Sequence, residues 1–130
     1  MMRFDHMAFE VAELERSIAF YRDVLGFAEN WRHRNEEENE ECVFLSLGDV
    51  RLELLVRLDG TTPAKKLPQT PYCPHLAIGV DDLDAAVGQL GQNDVALLRG
   101  PLEVAGKVRW LYFADPDQNV IELVQWLEER

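Results

Sequence analysis

Two histidines and two glutamates recur at one interval: His6 precedes Glu53 by 47 positions, and His75 precedes Glu122 by 47. Imidazole nitrogen and carboxylate oxygen suit a borderline divalent ion such as Zn, Ni, Co, Fe or Mn. Two neutral imidazoles, two carboxylates and one dication sum to zero charge. Such a centre can receive a developing oxyanion, and an open position can hold water or a substrate oxygen. The four residues therefore suggest one symmetric site, with one divalent metal as cofactor and a small molecule as substrate.

The pairs belong to a longer internal repeat. At an offset of 69, Ala8 falls on Ala77, Val11 on Val80, Leu14 on Leu83 and Ile18 on Val87, while Phe44 lands on Phe113 and Leu54 on Leu123. A duplication fixes architecture before propensity does.

Each copy reads βαβββ. In the first, Phe4–Val11 alternates as a strand, and Leu14, Ile18, Tyr21 and Leu25 recur at helical spacing until Gly26 ends the helix. Strands follow over Phe27–Arg34, Cys42–Leu47 and Val50–Arg57, with Gly48-Asp49 as a tight hairpin. In the second, His75–Val80 is the strand, Asp81 or Asp82 caps a helix, and Leu83, Val87 and Leu90 form its buried stripe. Strands over Ala96–Gly100, Lys107–Ala114 and Val120–Trp126 complete it, the last two joined by Asp115-Pro116-Asp117-Gln118-Asn119.

Strand parity places the four candidates. Met7, Phe9 and Val11 oppose His6, Ala8 and Glu10, and Leu76, Ile78 and Val80 oppose His75, Ala77 and Gly79. The apolar sets must face the helices, so both histidines lie on the far face beside small residues. Leu52, Leu54 and Val56, like Ile121 and Leu123, are helix-facing, which turns Glu53 and Glu122 onto the histidines' face. A mid-strand carboxylate between leucines is costly to bury unless paired or coordinated. The competing reading is two carboxylates facing water and two strand-end histidines bonded to backbone; four matching positions on one face weigh against it.

The 130 residues make one domain by length, with modules 1–58 and 75–130 joined by a connector, 59–74, that holds four of the six prolines. A net charge of −11 would repel nucleic acid and anionic lipid. Two cysteines are too few for a disulfide scaffold and no apolar run could span a bilayer, so the expectation is a cytoplasmic protein with no nucleic-acid or membrane partner. The acidic run from Glu36 to Glu41 reads as a solvated loop. Trp31, Trp110 and Trp126 read as core or interface aromatics, and His33 as a surface residue.

The opening His6-Met-Ala-Phe-Glu-Val with Ser17-Ile-Ala-Phe-Tyr-Arg-Asp-Val-Leu-Gly-Phe27, the segment His75-Leu-Ala-Ile-Gly-Val-Asp-Asp-Leu83 and the ending Phe113-Ala-Asp-Pro-Asp-Gln-Asn-Val-Ile-Glu-Leu123 resemble the vicinal oxygen chelate superfamily. That group includes glyoxalase I, extradiol dioxygenases, methylmalonyl-CoA epimerase, and fosfomycin and bleomycin resistance proteins. The resemblance implies an α+β fold whose two βαβββ modules form a curved, cup-like mixed sheet with helices outside. It implies His6, Glu53, His75 and Glu122 as the metal ligands and a homodimer as the assembly. Glutamate on the fourth strand, Glu53 here, resembles glyoxalase I and favours a lyase or isomerase. Proton transfer next to a carbonyl, through an enediolate stabilised by the ion, is the implied chemistry. By the same resemblance Glu122 is the base and Glu53 its counterpart. The alternatives are an Fe(II) extradiol-type dioxygenase and a drug-binding protein without catalysis.

Two departures matter. After Glu53 the chain reads Leu54-Leu55-Val56-Arg57, with no asparagine of the kind that binds glutathione. Arg22, Arg57, Lys107 and Arg109 are the candidate clamps for an anionic substrate, against the alternative of pairing with nearby glutamates. Gln118 stands where glycine is usual, and the following Asn119 is expected to take the left-handed turn.

Overall fold

The computed structural model describes residues 1–128, in two compact units that divide between Lys65 and Lys66. The first unit carries β1 (His6–Glu10), α1 (Leu14–Leu25), β2 (Ala28–Asn35), β3 (Glu40–Leu47) and β4 (Val50–Arg57). The second carries β5 (His75–Gly79), α2 (Leu83–Gln92), β6 (Leu97–Val104), β7 (Val108–Ala114) and β8 (Val120–Trp126). Each unit is the expected βαβββ module, and the fold is α+β.

Each module forms its own four-stranded mixed sheet, in the orders β1-β4-β3-β2 and β5-β8-β7-β6, and neither closes into a barrel. The first strand pairs parallel with the last, because the helix and two strands lie between them; the other pairs are antiparallel. The parallel register sets Ala8 opposite Glu53 and Ala77 opposite Glu122, so a small side chain stands beside each carboxylate.

The core of each module lies between sheet and helix. Phe9, Val11, Leu52 and Leu54 are buried with Leu14, Ile18, Tyr21 and Val24 of α1, and Leu76, Ile121 and Leu123 are buried as are Leu83 and Leu90 of α2. These are the strand positions of helix-facing parity. Gly26 ends α1 with φ of 80°, its N–H bonded to the Arg22 carbonyl, and Asp82 caps α2 by accepting from the Ala85 N–H at 3.1 Å.

Three local expectations are corrected. The acidic run is only half loop: residues 36–39 turn, while Glu40 and Glu41 begin β3. β6 does not stop at Gly100 but continues to Val104, because a bulge absorbs Gly100 and Pro101. In the β7–β8 turn the left-handed residue is Gln118, with φ of 66°, and not Asn119. Asn119 is instead buried: its backbone N–H and its Nδ2 donate to Asp115 Oδ1 and Oδ2, each at 2.9 Å. The Asp117 N–H also donates to Oδ1, so this buried carboxylate anchors the turn that leads into β8. Lys66, from the connector, donates to the Asn119 side-chain oxygen.

The repeat is not uniform. First and fourth strands match at the offset of 69, but Phe44 pairs with Glu53 and Tyr112 with Glu122, an offset of 112 − 44 = 68. The structural equivalent of Phe44 is thus Tyr112, not Phe113. The cause is one extra residue in the second hairpin: Ser46 pairs with Arg51, but Ala114 pairs with Val120.

Candidate metal centre

In the first module the β1–β4 pairing brings His6 Nε2 to 3.3 Å from Glu53 Oε1. In the second, β5 and β8 bring His75 Nε2 to 2.9 Å from Glu122 Oε1. Both glutamates are largely shielded, with side chains 17% and 16% exposed, on the face away from the helix. Among the described residues no three His, Cys, Asp or Glu side chains gather into a metal-holding group; each module supplies a pair.

The other nitrogen of each ring is also committed to an acceptor. His75 Nδ1 donates to the Tyr72 carbonyl at 3.1 Å, which a neutral imidazole can do only in the tautomer that leaves Nε2 bare. His6 Nδ1 lies 2.7 Å from Asp5 Oδ2, and Arg51 Nη2 donates to both oxygens of that carboxylate, at 3.0 and 2.9 Å. The hydrogen bond with His6 and the Arg51 guanidinium together hold the Asp5 carboxyl below the usual carboxylate range. Each Nε2 lone pair therefore faces a carboxylate oxygen, an arrangement that only a positive charge between or upon them makes favourable. A proton supplies one such charge; a divalent ion supplies another, and a ring oriented through Nδ1 by a carboxylate or carbonyl is the usual support of a metal-ligating histidine. The donor set of each half fits the metal.

A ring lies over each pair. Phe44 meets His6 edge-on at 5.0 Å, and Tyr112 meets His75 in the same way at 5.5 Å. Burial first, and then the charge of Glu122, push the Tyr112 phenol up, against a hydrogen bond from Trp110. Beside Glu53, burial raises the Cys42 thiol, and the charge of Glu53 and a hydrogen bond to it act in the same direction.

The proposed anion clamps fall in different places. Arg57 shares the face of Glu53, but its Nε is 2.8 Å from Glu10 Oε2 and its Nη2 donates to Oε1 at 3.2 Å. Together with Leu55 these two residues border a shallow cavity. Arg22 projects from the exposed side of α1 and pairs with Asp23. Arg109 pairs with Asp84 of α2, on the helix side, and Lys107 with Glu128. Four contributors went unread in the sequence: Asp5, Phe44, Tyr112 and the Tyr72 carbonyl. The adjacency Asp5-His6 was a usable signal for the first; a backbone carbonyl leaves none.

The model of the Glyoxalase/Bleomycin resistance protein/Dioxygenase superfamily matches residues 3–123. A Vibrio cholerae protein named probable lactoylglutathione lyase is 30% identical over 121 residues, covering 92% of this chain and 88% of its own. The mouse protein named methylmalonyl-CoA epimerase, mitochondrial, is 30% identical over 117 residues, 88% of this chain and 66% of the epimerase. Among solved structures, the trypanothione-dependent glyoxalase I of Leishmania major superposes with a TM-score of 0.78 at 29% identity, over 96% of this chain and 87% of that one.

Proposed function

This chain belongs to the Glyoxalase/Bleomycin resistance protein/Dioxygenase superfamily, and on that premise we propose that it is a divalent-metal-dependent lyase or isomerase of glyoxalase I type. His6 with Glu53 and His75 with Glu122 are the ligand pairs, and a small carbonyl compound is the substrate. The observation that carries this reading is the pairing itself. In both modules an imidazole is held at Nδ1 by one acceptor while its Nε2 faces a carboxylate, at 3.3 and 2.9 Å. The relatives named as a lyase and an epimerase support enzyme chemistry.

A bound divalent ion would hold vicinal substrate oxygens and stabilise the negative charge that develops on them. The chain's own residues do the rest. Glu122 removes the proton from the carbon beside the carbonyl and returns it to the neighbouring carbon, a transfer for which a carboxylate shielded from water is suited. Glu53 is its counterpart in the other module. Asp5 and the Tyr72 carbonyl keep the imidazoles in one tautomer, and Tyr112, held protonated by its burial, offers a neutral hydroxyl next to Glu122 in the sheet.

The test is proton bookkeeping in heavy water. Metal-loaded protein is incubated with methylglyoxal and a panel of thiols, and NMR follows conversion of the hemithioacetal to the 2-hydroxyacyl thioester. Conversion with partial deuterium at the hydroxyl-bearing carbon, abolished by Glu122→Gln, is expected. No conversion with any thiol, together with oxygen uptake on catechols that survives Glu53→Gln, would replace this reading with the dioxygenase.

A further inference from the structure

We propose that Arg51 is a positioning residue for the metal: it fixes the Asp5 carboxylate, and Asp5 in turn aims His6 Nε2 and strengthens it as a ligand. The inference rests on the metal reading above and concerns residues of the first module alone.

Arg51 lies at the centre of a small network on the helix-free face of its sheet. It is the register partner of His6, and directly paired residues share a face, here the face that carries Glu53. Its Nη2 donates to Asp5 Oδ1 at 3.0 Å and to Oδ2 at 2.9 Å, and Oδ2 is the oxygen 2.7 Å from His6 Nδ1. Its guanidinium carbon stands 5.2 Å from the centroid of Phe44, the ring that meets His6 edge-on at 5.0 Å. One guanidinium therefore ties together both neighbours of the imidazole, the acceptor at Nδ1 and the aromatic ring beside it.

Asp5 needs such a hold. It precedes β1 and its side chain is 56% exposed, so water competes for the carboxylate and rotamer freedom opposes its bond to His6. Folding stability does not account for the Asp5–Arg51 pair, because an ion pair as open as this one contributes little to it.

The repeat supplies an internal control. Val120 pairs with His75 as Arg51 pairs with His6, and Pro74 precedes His75 as Asp5 precedes His6. In the second module the Tyr72 carbonyl accepts from Nδ1, a neutral group that the main chain itself positions and that needs no counter-ion. The strand pairing thus accepts an apolar residue at this place, and the ionic brace serves His6 rather than the fold. A carboxylate behind an imidazole raises the basicity of the ring as a ligand. Arg51 cancels the added charge, so the charge balance of the two ligand pairs with one dication is kept.

Zinc affinity, measured by chelator competition on the full chain, separates positioning from charge. Deleting Arg51 removes a positive charge from the neighbourhood of the dication, which through water alone would tighten binding by up to about threefold. Loss of a supporting group weakens metal binding by about 10- to 100-fold. Arg51→Val, the residue the second module uses, should therefore weaken zinc by roughly threefold to thirtyfold, with Arg51→Lys in between and Asp5→Asn weaker by about 10- to 100-fold. In the Asp5→Asn background Arg51→Val should leave zinc unchanged or up to about threefold tighter, because only the charge effect remains. Its melting temperature in chelator should move by no more than about 4 °C. Unchanged or tighter zinc binding in Arg51→Val, equal weakening in the Asp5→Asn background, or a larger fall in melting temperature overturns the proposal. If wild-type protein binds no zinc, it is the metal reading that has failed, and the metal-free protein then decides. The His6 Nδ1–H proton, sheltered by Asp5, should be visible in 1H–15N spectra of the wild type and lost to exchange with water in both Asp5→Ala and Arg51→Val. Its absence from the wild type, or its persistence in Arg51→Val, would refute the brace.

Discussion

Replacing Glu122 by glutamine should have opposite effects with and without metal. His75 Nδ1 donates to the Tyr72 carbonyl at 3.1 Å, so the neutral ring turns its Nε2 lone pair toward Glu122 Oε1 at 2.9 Å. A glutamine amide can donate into that lone pair, a neutral hydrogen bond worth about 0.5–1.5 kcal/mol, and needs no cation to do so. The metal-free variant should therefore be as stable as wild type or up to ~1 kcal/mol more stable. Zinc reverses the order. An ion at 100 times its Kd stabilises the wild type by about 2.7 kcal/mol, which for a domain of this size is a rise in Tm of roughly 10 °C. Supporting groups beyond the ligands already change metal affinity by about 10- to 100-fold, so loss of a ligand should cost roughly 100-fold or more and leave ~0.4 kcal/mol at the same zinc concentration. Scanning calorimetry of both proteins, in chelator and in zinc, reads all four values. An equal zinc-induced rise in the variant would refute the reasoning. So would a chelated variant destabilised by about 2 kcal/mol or more, the behaviour of a carboxylate that serves only as a partner for imidazolium.

Asp115→Ala removes the acceptor of three N–H donors in a buried turn and should cost about 2–4 kcal/mol by urea denaturation; a loss under ~0.5 kcal/mol would contradict its anchoring role. Gly100→Ala places a Cβ against the β7 backbone at positive φ and should cost about 1–3 kcal/mol, with a changed chemical shift at Arg99; an unchanged melting curve would argue against the close approach. The buried, raised Cys42 thiol should react with iodoacetamide far more slowly than exposed Cys73 at about pH 8, and Glu53→Gln should speed it by removing a charge that disfavours the thiolate; equal labelling in the native protein would refute this.

Much of this was legible because parity and repetition are properties of the chain. Leu52 and Leu54 on one side and Glu53 on the other follow from a period of two, and the structure keeps that division with both leucines fully buried. The pairing of each histidine with its glutamate followed from a matched spacing. What escaped depended on local register. One residue added to the second hairpin moved the partner of Phe44 from Phe113 to Tyr112, which no fixed offset reveals. The bulges before Trp31 and Arg99 likewise hid the equivalence of those two positions. Among the cations, sequence could count arginines but not show that Glu10 already holds Arg57, or that Arg109 lies on the helix side with Asp84.

Elemental analysis of the protein as purified, alongside Glu53→Gln and His75→Ala, addresses the two ligand pairs most directly. About one divalent ion per pair of modules is expected in the wild type, lost or much reduced in both variants, because a coordination set depends on each strong ligand. Stoichiometric metal retained by both variants would contradict the assignment of His6, Glu53, His75 and Glu122.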